Sequence, residues 1–247
     1  MYNQKLLQLA LLDFKLRYNQ TILGVFWSFL KPLALILTLL LVFSFLSTDI
    51  ENFLAYLILG VITWTFFSTS ITRLLNSFNA NKDFIKKIKF EKQLLLQSAL
   101  LVEIFNYLIL LLISIIVMSF LNTQIFLSLK IFIPLISLVI LIYGLGLILS
   151  TLFIYFKDLE YITELALQLG FFLTPIFYEV TIIPEEYRSY YLLNPVTRVL
   201  ESIRTSIFEG SLQGVLFESI TFLISASFLL VGLLIFKKLK NDLVDEL

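Results

Sequence analysis

Residues 93–129 read QLLLQSALLVEIFNYLILLLISIIVMSFLNTQIFLSL and contain one charged side chain, Glu103. A helix needs about 20 mostly apolar residues to cross the hydrocarbon core of a bilayer, within a range of roughly 17–25. This stretch exceeds that length and predicts a transmembrane helix. Five further uncharged runs reach or approach the same length: Pro32–Thr48, Asn52–Thr72, Ile131–Phe156, Leu165–Tyr178 and Ser219–Phe236. The shortest of them, Leu165–Tyr178, needs Tyr161–Glu164 to reach the interface.

The composition is that of a membrane protein. Apolar residues make up 59% of the 247 residues, and the mean hydropathy is +0.96, whereas soluble domains are about 45–50% apolar. Six spans with short connections use nearly the whole chain. We therefore predict an all-α integral membrane protein with six transmembrane helices, in which residues 1–247 form a single domain and no soluble catalytic domain is present.

The positive charges are distributed unevenly although the net charge is +0. With the N-terminus placed inside, the internal segments hold 14 of the 18 positive residues, and the outside keeps Lys130, Arg188, Arg198 and Arg204. Cytoplasmic loops carry an excess of lysine and arginine, so both termini are predicted to be cytoplasmic. No basic region followed by a small-residue cleavage site is found near the N-terminus, and no cleavable signal peptide is expected.

Cysteine and histidine are both absent. Disulfides and thiol chemistry are thereby excluded, as are histidine proton shuttles, Ser-His-Asp hydrolysis and histidine-ligated metal sites. An intramembrane protease or a metal-dependent membrane enzyme is therefore disfavoured.

The first 30 residues are predicted to form a cytoplasmic interface helix. Between Asn3 and Thr21, apolar residues recur at three- and four-residue spacing among polar ones: Leu7, Ala10, Leu11, Phe14 and Tyr18. The uncharged run is too short to cross a membrane, so an amphipathic helix on the membrane surface is favoured over a flexible tail. Trp27 follows as an interfacial anchor.

Residues 73–92 form the most basic segment and are predicted to be a cytoplasmic loop. Phe84, Ile85 and Ile88 would form the apolar face of a short helix, surrounded by lysines: Lys86, Lys87, Lys89 and Lys92. A solvated loop that fixes the topology would explain the lysines alone. It does not explain the apolar face, which favours docking against lipid or a protein partner.

A charge in the middle of a bilayer costs roughly 2.5–3.5 kcal/mol on insertion scales, so Glu103 is expected to face the helix bundle. Asn106, three residues on, lies on the same helix face. Two interpretations stay open for this pair, a residue of a transport pathway or gate and a structural hydrogen bond to a neighbouring helix. Gly144 and Gly146 allow close approach of another helix but fall short of the GxxxG dimer pattern.

The outer connection, residues 179–218, is long and contains short apolar runs that could enter the membrane halfway and return. Aromatic residues are dense from the end of the fifth run into this connection: Phe171, Phe172, Phe177, Tyr178, Tyr187, Tyr190 and Tyr191. They are interpreted either as an aromatic belt at the outer interface or as a stacking surface for sugar rings at a pore mouth.

Several segments together resemble the membrane subunit of ABC-2 type transporters that export polysaccharides such as O-antigen, capsule or teichoic acid. The segments are LRYNQTILGVFW at 16–27, Lys31-Pro32, Trp64 with Phe66-Phe67-Ser68, Phe156-Lys157-Asp158, FLTPIFY at 172–178 and Asn194-Pro195. Their order and spacing resemble the family nearly end to end.

The resemblance implies a homodimer with an N-terminal interface helix and re-entrant helices between spans five and six, on which two copies of a P-loop ATPase subunit dock. It implies that Arg17, Tyr18 and Trp27 lie near the cytoplasmic gate and that the aromatic residues line the channel. It also implies a coupling helix that contacts the ATPase through Lys82, Phe84, Ile85, Lys86, Lys87, Lys89 and Phe90. Family members often have proline soon after that last aromatic, where this chain has Glu91.

The expected function is therefore ATP-driven export of a lipid-linked polysaccharide across the bacterial cytoplasmic membrane. The chain has no GxxxxGK[ST] phosphate loop, so we expect no enzyme activity and no cofactor in it, with ATP and magnesium bound by the partner subunit. We expect the chain to bind the glycan and membrane lipids. We expect it to bind no nucleic acid. A small-molecule or drug exporter of the same class is the main alternative, and a membrane-embedded enzyme or a purely structural membrane protein is less favoured.

Overall fold

The computed structural model describes residues 2–18, 24, 26–44, 50, 52–87, 91–126 and 128–240. All regular secondary structure within these ranges is helical. The α-helices are α1 (Tyr2–Tyr18), α2 (Phe26–Ser44), α3 (Phe53–Ala80), α4 (Lys82–Lys87), α5 (Gln93–Phe120), α6 (Phe132–Tyr155), α7 (Leu159–Leu173), α8 (Glu185–Tyr191), α9 (Pro195–Phe208) and α10 (Val215–Leu239). The prediction of an all-α protein is confirmed for this part of the chain.

Five helices of the described chain are long and apolar enough to cross a membrane: α2, α3, α5, α6 with the 3-10 turn before it, and α10. The fifth predicted span corresponds to α7, which has 15 residues. At 1.5 Å per residue α7 rises about 22 Å, less than the roughly 30 Å hydrocarbon core. A sixth complete span therefore stays a prediction, as do the re-entrant helices and the cytoplasmic location of both termini.

Helix α3 forms the centre of the bundle. In its most apolar stretch 78% of the residues are buried, against 11% for α2. It packs against α5, α6, α9 and α7, and its apolar side chains join one continuous core with those helices. The helix continues past Thr72, where the uncharged run ends, to Ala80. Arg73 consequently lies inside a helix and not in a loop.

Close packing of α6 against α10 depends on glycines. A Cβ atom at Gly144 would lie 2.5 Å from the backbone nitrogen of Leu229, and one at Gly232 would lie 2.6 Å from the carbonyl oxygen of Gly144. Gly146 faces the side chain of Leu74 on α3 at similarly close range. The close approach that Gly144 and Gly146 allow is present in the structure.

Helix α1 lies against α5, where the rings of Phe14 and Phe105 meet edge to face at 6.3 Å. The predicted helix at the N-terminus is confirmed. Two residues of its predicted apolar face, Leu7 and Leu11, remain exposed, and such residues are available to the apolar part of a membrane surface.

Helix α7 ends because proline follows it. The residue before a proline is disfavoured in the helical region, and Thr174, which precedes Pro175, has the extended angles φ −97° and ψ 138°. Two short helices follow in the predicted re-entrant region. The longer one, α9, is capped at its N-terminus by Asn194, whose side chain accepts a hydrogen bond of 3.0 Å from the backbone nitrogen of Val196. Pro195 occupies the first helical position, where the missing N–H costs nothing.

Candidate functional site

A groove of about 1170 Å³ runs between α3 and α7, with single side chains of α1, α2 and α5 at its border. We call this cavity the groove. Its lining mixes hydroxyl, amide and carboxyl groups with aromatic rings: Asp13, Leu35, Trp64, Thr65, Ser68, Thr69, Thr72, Arg73, Asn76, Glu103, Glu164, Leu167, Gln168, Phe171 and Phe172. A cavity of this size, in which polar groups are set among apolar side chains, is the candidate functional site.

Helix α3 contributes a ladder of small polar side chains at three- and four-residue spacing. Thr69 donates a hydrogen bond of 2.7 Å to the carbonyl oxygen of Thr65, and Thr72 donates one of 3.0 Å to that of Ser68. These bonds satisfy the hydroxyl protons within the helix. The hydroxyl oxygens retain lone pairs that can accept hydrogen bonds from a ligand in the groove.

Helix α7 supplies the opposite wall. Glu164 and Gln168, one turn apart, both line the groove, and the apolar Leu167 lies between them in sequence. The carboxylate of Glu160, a turn earlier, accepts a hydrogen bond of 3.1 Å from the amide of Asn76 on α3. This bond ties the two walls together at one end.

A three-residue ionic network lies at the border of the groove. Arg73 on α3 donates a hydrogen bond of 2.7 Å to the buried carboxylate of Glu103 on α5. Its other terminal nitrogen binds Asp13 on α1. Glu103 thus faces protein and has an arginine partner, and Asn106 is buried on the same helix. The network connects α1 to two helices of the bundle.

Aromatic rings cluster at the other end of the groove. Trp64 and Phe171 meet at 6.3 Å between ring centroids, and Phe171 contacts both Phe172 and Phe177. Tyr178 contacts Phe177 at 5.3 Å. Four of the seven aromatic residues predicted to line the channel therefore form one cluster. The other three lie on α8, where Tyr187 and Tyr190 are exposed and Tyr191 is half-buried.

Arg204 on α9 holds the chain beyond the end of α7. Its guanidinium donates hydrogen bonds to the carbonyl oxygens of Pro175, Ile176 and Tyr56, at 2.6, 2.9 and 3.2 Å. It also lies 3.3 Å over the ring of Tyr56 and pairs with Glu201 at 3.0 Å. A planar guanidinium suits several carbonyl acceptors at once. The aromatic end of the groove is consequently anchored to α3 and α9.

A second buried arginine, Arg198, joins α9 to the start of α10. It donates hydrogen bonds to Thr221 at 3.0 Å and to the carbonyl oxygen of Phe217 at 2.9 Å. Burial lowers the pKa of Arg198 below its ordinary value, and the nearby Glu218 carboxylate opposes that shift. Arginine remains protonated at neutral pH all the same.

The residues predicted to contact an ATPase lie on and after α4. Lys82, Phe84 and Lys86 are exposed, whereas Ile85 is buried in the core of the bundle. Lys87 ends the helix. Lys89 and Phe90 lie outside the described residues. Within the described part of the segment, Phe84 is therefore the exposed apolar side chain beside exposed lysines.

The predicted gate residues are only partly described. Trp27 is exposed on α2 and borders a smaller cavity of about 430 Å³ that also contacts Lys31 and Glu103. Arg17 and Tyr18 belong to the last turn of α1, and their side chains lie outside the described part of the chain.

Sequence reasoning missed the hydroxyl ladder of α3 and the roles of Arg73 and Arg204. The ladder was visible as Thr65, Ser68, Thr69 and Thr72, which recur at helical spacing within an apolar run. The two arginines were counted only as charges for topology. Nothing in a single sequence indicates which carbonyl or carboxylate a buried arginine will bind.

The groove offers groups that can bind a ligand. It has hydrogen-bond donors and acceptors along its walls and aromatic rings at one end. No group of acidic residues that could hold a metal ion occurs in the described part of the chain.

Comparison with known proteins gives consistent matches along the chain. The family described as ABC-2 type transporter matches residues 4–208. An O-antigen export system permease protein, RfbA of Klebsiella pneumoniae, is 33% identical over 240 residues, which cover 95% of this chain and 92% of that protein. RfbA of Myxococcus xanthus is 30% identical over 85% of this chain and 83% of its own length. The polysialic acid transport protein KpsM of Escherichia coli is 28% identical over 92% of this chain and 88% of its own.

Proposed function

The chain belongs to the ABC-2 type transporter family, and on that premise we propose that it is the transmembrane subunit of an ATP-driven exporter of a lipid-linked polysaccharide. It is a multi-pass protein of the bacterial cytoplasmic membrane. The glycan would pass from the cytoplasm outward, as O-antigen, capsule or teichoic acid does. ATP would be hydrolysed in a separate subunit.

The observation that carries the proposal is the lining of the groove. Hydroxyl and amide groups on α3 and α7 offer many moderate hydrogen bonds, and Trp64, Phe171 and Phe172 offer ring faces. A sugar polymer that must slide needs such repeated, exchangeable contacts and not one tight pocket. The lining alone does not exclude a small-molecule cargo, because apolar side chains also face the groove; the relatives named as O-antigen export permease and polysialic acid transport protein favour polysaccharide over that alternative.

A homodimer would complete the transport path. The groove is open on one side, and α2 and α7 carry exposed apolar side chains next to it, among them Leu37, Leu165, Leu169 and Phe172. A second copy packed against these helices would enclose a continuous channel between the two chains. Two grooves facing each other would surround the polymer.

The exposed residues of α4 would transmit the motion of the ATPase. Phe84 is an exposed apolar side chain with the exposed Lys82 and Lys86 beside it, and it would pack into the ATPase while the lysines contact its surface. The buried Ile85 attaches α4 to the core of the bundle, so a force on its exposed side would be passed to the bundle. Phe90 and Lys89 are proposed to extend the same surface.

Deleting the gene in its own bacterium tests the proposal. We expect the lipid-linked glycan to accumulate at the inner leaflet and to disappear from the cell surface, and a plasmid copy should restore it. Unchanged surface glycan in the deletion strain, with no other exporter of the class encoded, would refute the proposed cargo.

A further inference from the structure

We propose that the groove selects glycans by charge and that Glu164 sets this preference. The groove accepts chains whose repeating units are neutral or carry amines. It rejects chains that have a carboxylate or a phosphate in every repeat. The inference rests on the proposed function, because it concerns the polymer that the groove would carry. It narrows the cargo class, disfavouring polysialic acid and teichoic acid as substrates.

The charged groups that face the groove are unbalanced. Asp13, Glu103 and Glu164 line it, and Arg73 is the cation that lines it within the described part of the chain. The hydroxyl and amide groups between them are uncharged. Among the described side chains, the charge that lines the groove is therefore net negative.

Arg73 cannot offset Glu164. Its guanidinium is engaged on one side by Glu103 at 2.7 Å and on the other by Asp13. Two carboxylates already face this one cation, so the network itself has an excess negative charge. An anion that approached Arg73 would have to displace one of these partners.

Glu164 stands apart from that network. Its side chain is exposed to the groove on α7, and it forms no ion pair with the described residues. Glu160, one turn away, adds a further carboxylate that is bound to the amide of Asn76. Lys31 borders the adjoining cavity, beside Glu103, and does not line the groove.

The surroundings strengthen the effect of this charge. Clefts that are lined by one sign of charge and have low-dielectric walls focus the electric field and alter the local concentration of ions. A carboxylate of the polymer would meet repulsion at each repeat that passes Glu164. Sugar hydroxyl groups and ammonium groups would instead donate hydrogen bonds to it.

The test uses the intact complex of this chain and its ATPase, purified from its own bacterium and reconstituted in vesicles. The cargo is the bacterium's own lipid-linked glycan, in two derivatives. One is esterified with butyrate and the other with succinate, so the added groups match in carbon number and differ in charge. ATP-dependent movement of each is measured at low ionic strength.

We expect the butyrate derivative to move at least about threefold faster than the succinate derivative, because each repulsive contact raises the barrier for the charged chain. Glu164→Gln should reduce this ratio by half or more. Glu186→Gln, which removes an exposed carboxylate of α8 away from the groove, should leave the ratio unchanged. Salt at about 0.5 M should also lower the ratio in the unaltered protein, because it screens charges over a few ångströms.

A ratio below threefold in the unaltered protein overturns the inference, as does a ratio that neither salt nor Glu164→Gln reduces. An acidic sugar or a phosphodiester in each repeat of the native glycan overturns it directly. These results leave the exporter assignment standing. Failure of the unmodified native glycan to move at all would instead contradict the proposed function.

Discussion

The guanidinium of Arg204 donates a hydrogen bond of 2.6 Å to the carbonyl oxygen of Pro175. The two residues are 29 positions apart in sequence and belong to the two segments that flank α8. Because Pro175 stops α7, the chain beyond it would otherwise present unpaired carbonyl groups inside the bundle. Arg204 donates hydrogen bonds to the carbonyl oxygens of Pro175 and Ile176. These bonds hold the chain in place at the end of the groove.

Replacing Arg204 by alanine should lower the free energy of unfolding by about 3 kcal/mol or more, because hydrogen bonds from a charged group to buried acceptors each contribute about 1.5–3 kcal/mol. Thermal unfolding of the purified protein in detergent would measure the loss. Arg188→Ala is the control, since Arg188 also donates to two carbonyl oxygens but is partly exposed. Equal losses for the two variants would contradict the role given to Arg204.

The two carboxylates that bind Arg73 should differ in their contributions. The side chain of Glu103 is 5% exposed and that of Asp13 is 37% exposed. Exposed ion pairs are typically worth about 0–1 kcal/mol, whereas breaking a buried pair costs about 3–5 kcal/mol. Double-mutant cycles with Arg73 should therefore give a larger coupling to Glu103 than to Asp13. The reverse order would show that α1 is held more tightly than this geometry implies.

Gly144→Val should separate α6 from α10. The new side chain would meet the backbone of Leu229, which cannot rotate away, and overpacking of this kind costs about 1–3 kcal/mol or more. The fraction of properly folded protein after detergent extraction would report the effect. Ala34→Val on the exposed part of α2 adds bulk without a neighbouring helix in the described structure and should be tolerated.

Phe84→Ala and Lys86→Ala should uncouple ATP hydrolysis from export if α4 contacts the ATPase. We expect glycan export to fall by about tenfold while the protein stays in the membrane at normal level, since both side chains are exposed and contribute little to the core. Surface glycan and membrane abundance are measured in the same cells. Lys130→Ala, on the connection between α5 and α6, is the matched control. Normal export in both α4 variants would exclude this coupling role.

The long helices could be predicted from the sequence because length and apolarity alone decide them. Phe132–Tyr155 follows its apolar run closely, whereas Gln93–Phe120 begins with the predicted run but ends nine residues before Leu129. The end of α3 was misplaced because a charged residue, Arg73, was taken as the membrane boundary. A helix can continue inside the bundle past Arg73 because that arginine is paired with Glu103 and Asp13. The hydropathy of a single sequence does not reveal such pairing.

The candidate site was predictable only in part. The aromatic cluster at Phe171 and Phe177 was found because aromatic residues are concentrated there in the sequence. The polar ladder of α3 and the wall formed by Glu164 and Gln168 depend on how two helices face each other across the bundle. That relation is set by tertiary packing, through Trp64 against Gly170 and Arg204 against Pro175, and no local pattern encodes it.

The most direct test of the account is the mass and composition of the complex that contains this chain, purified gently in detergent from its own bacterium. Native mass spectrometry should find two copies of the chain together with two copies of a P-loop ATPase. A stable particle that contains this chain and no nucleotide-binding subunit would contradict the assignment as the membrane subunit of an ATP-driven exporter.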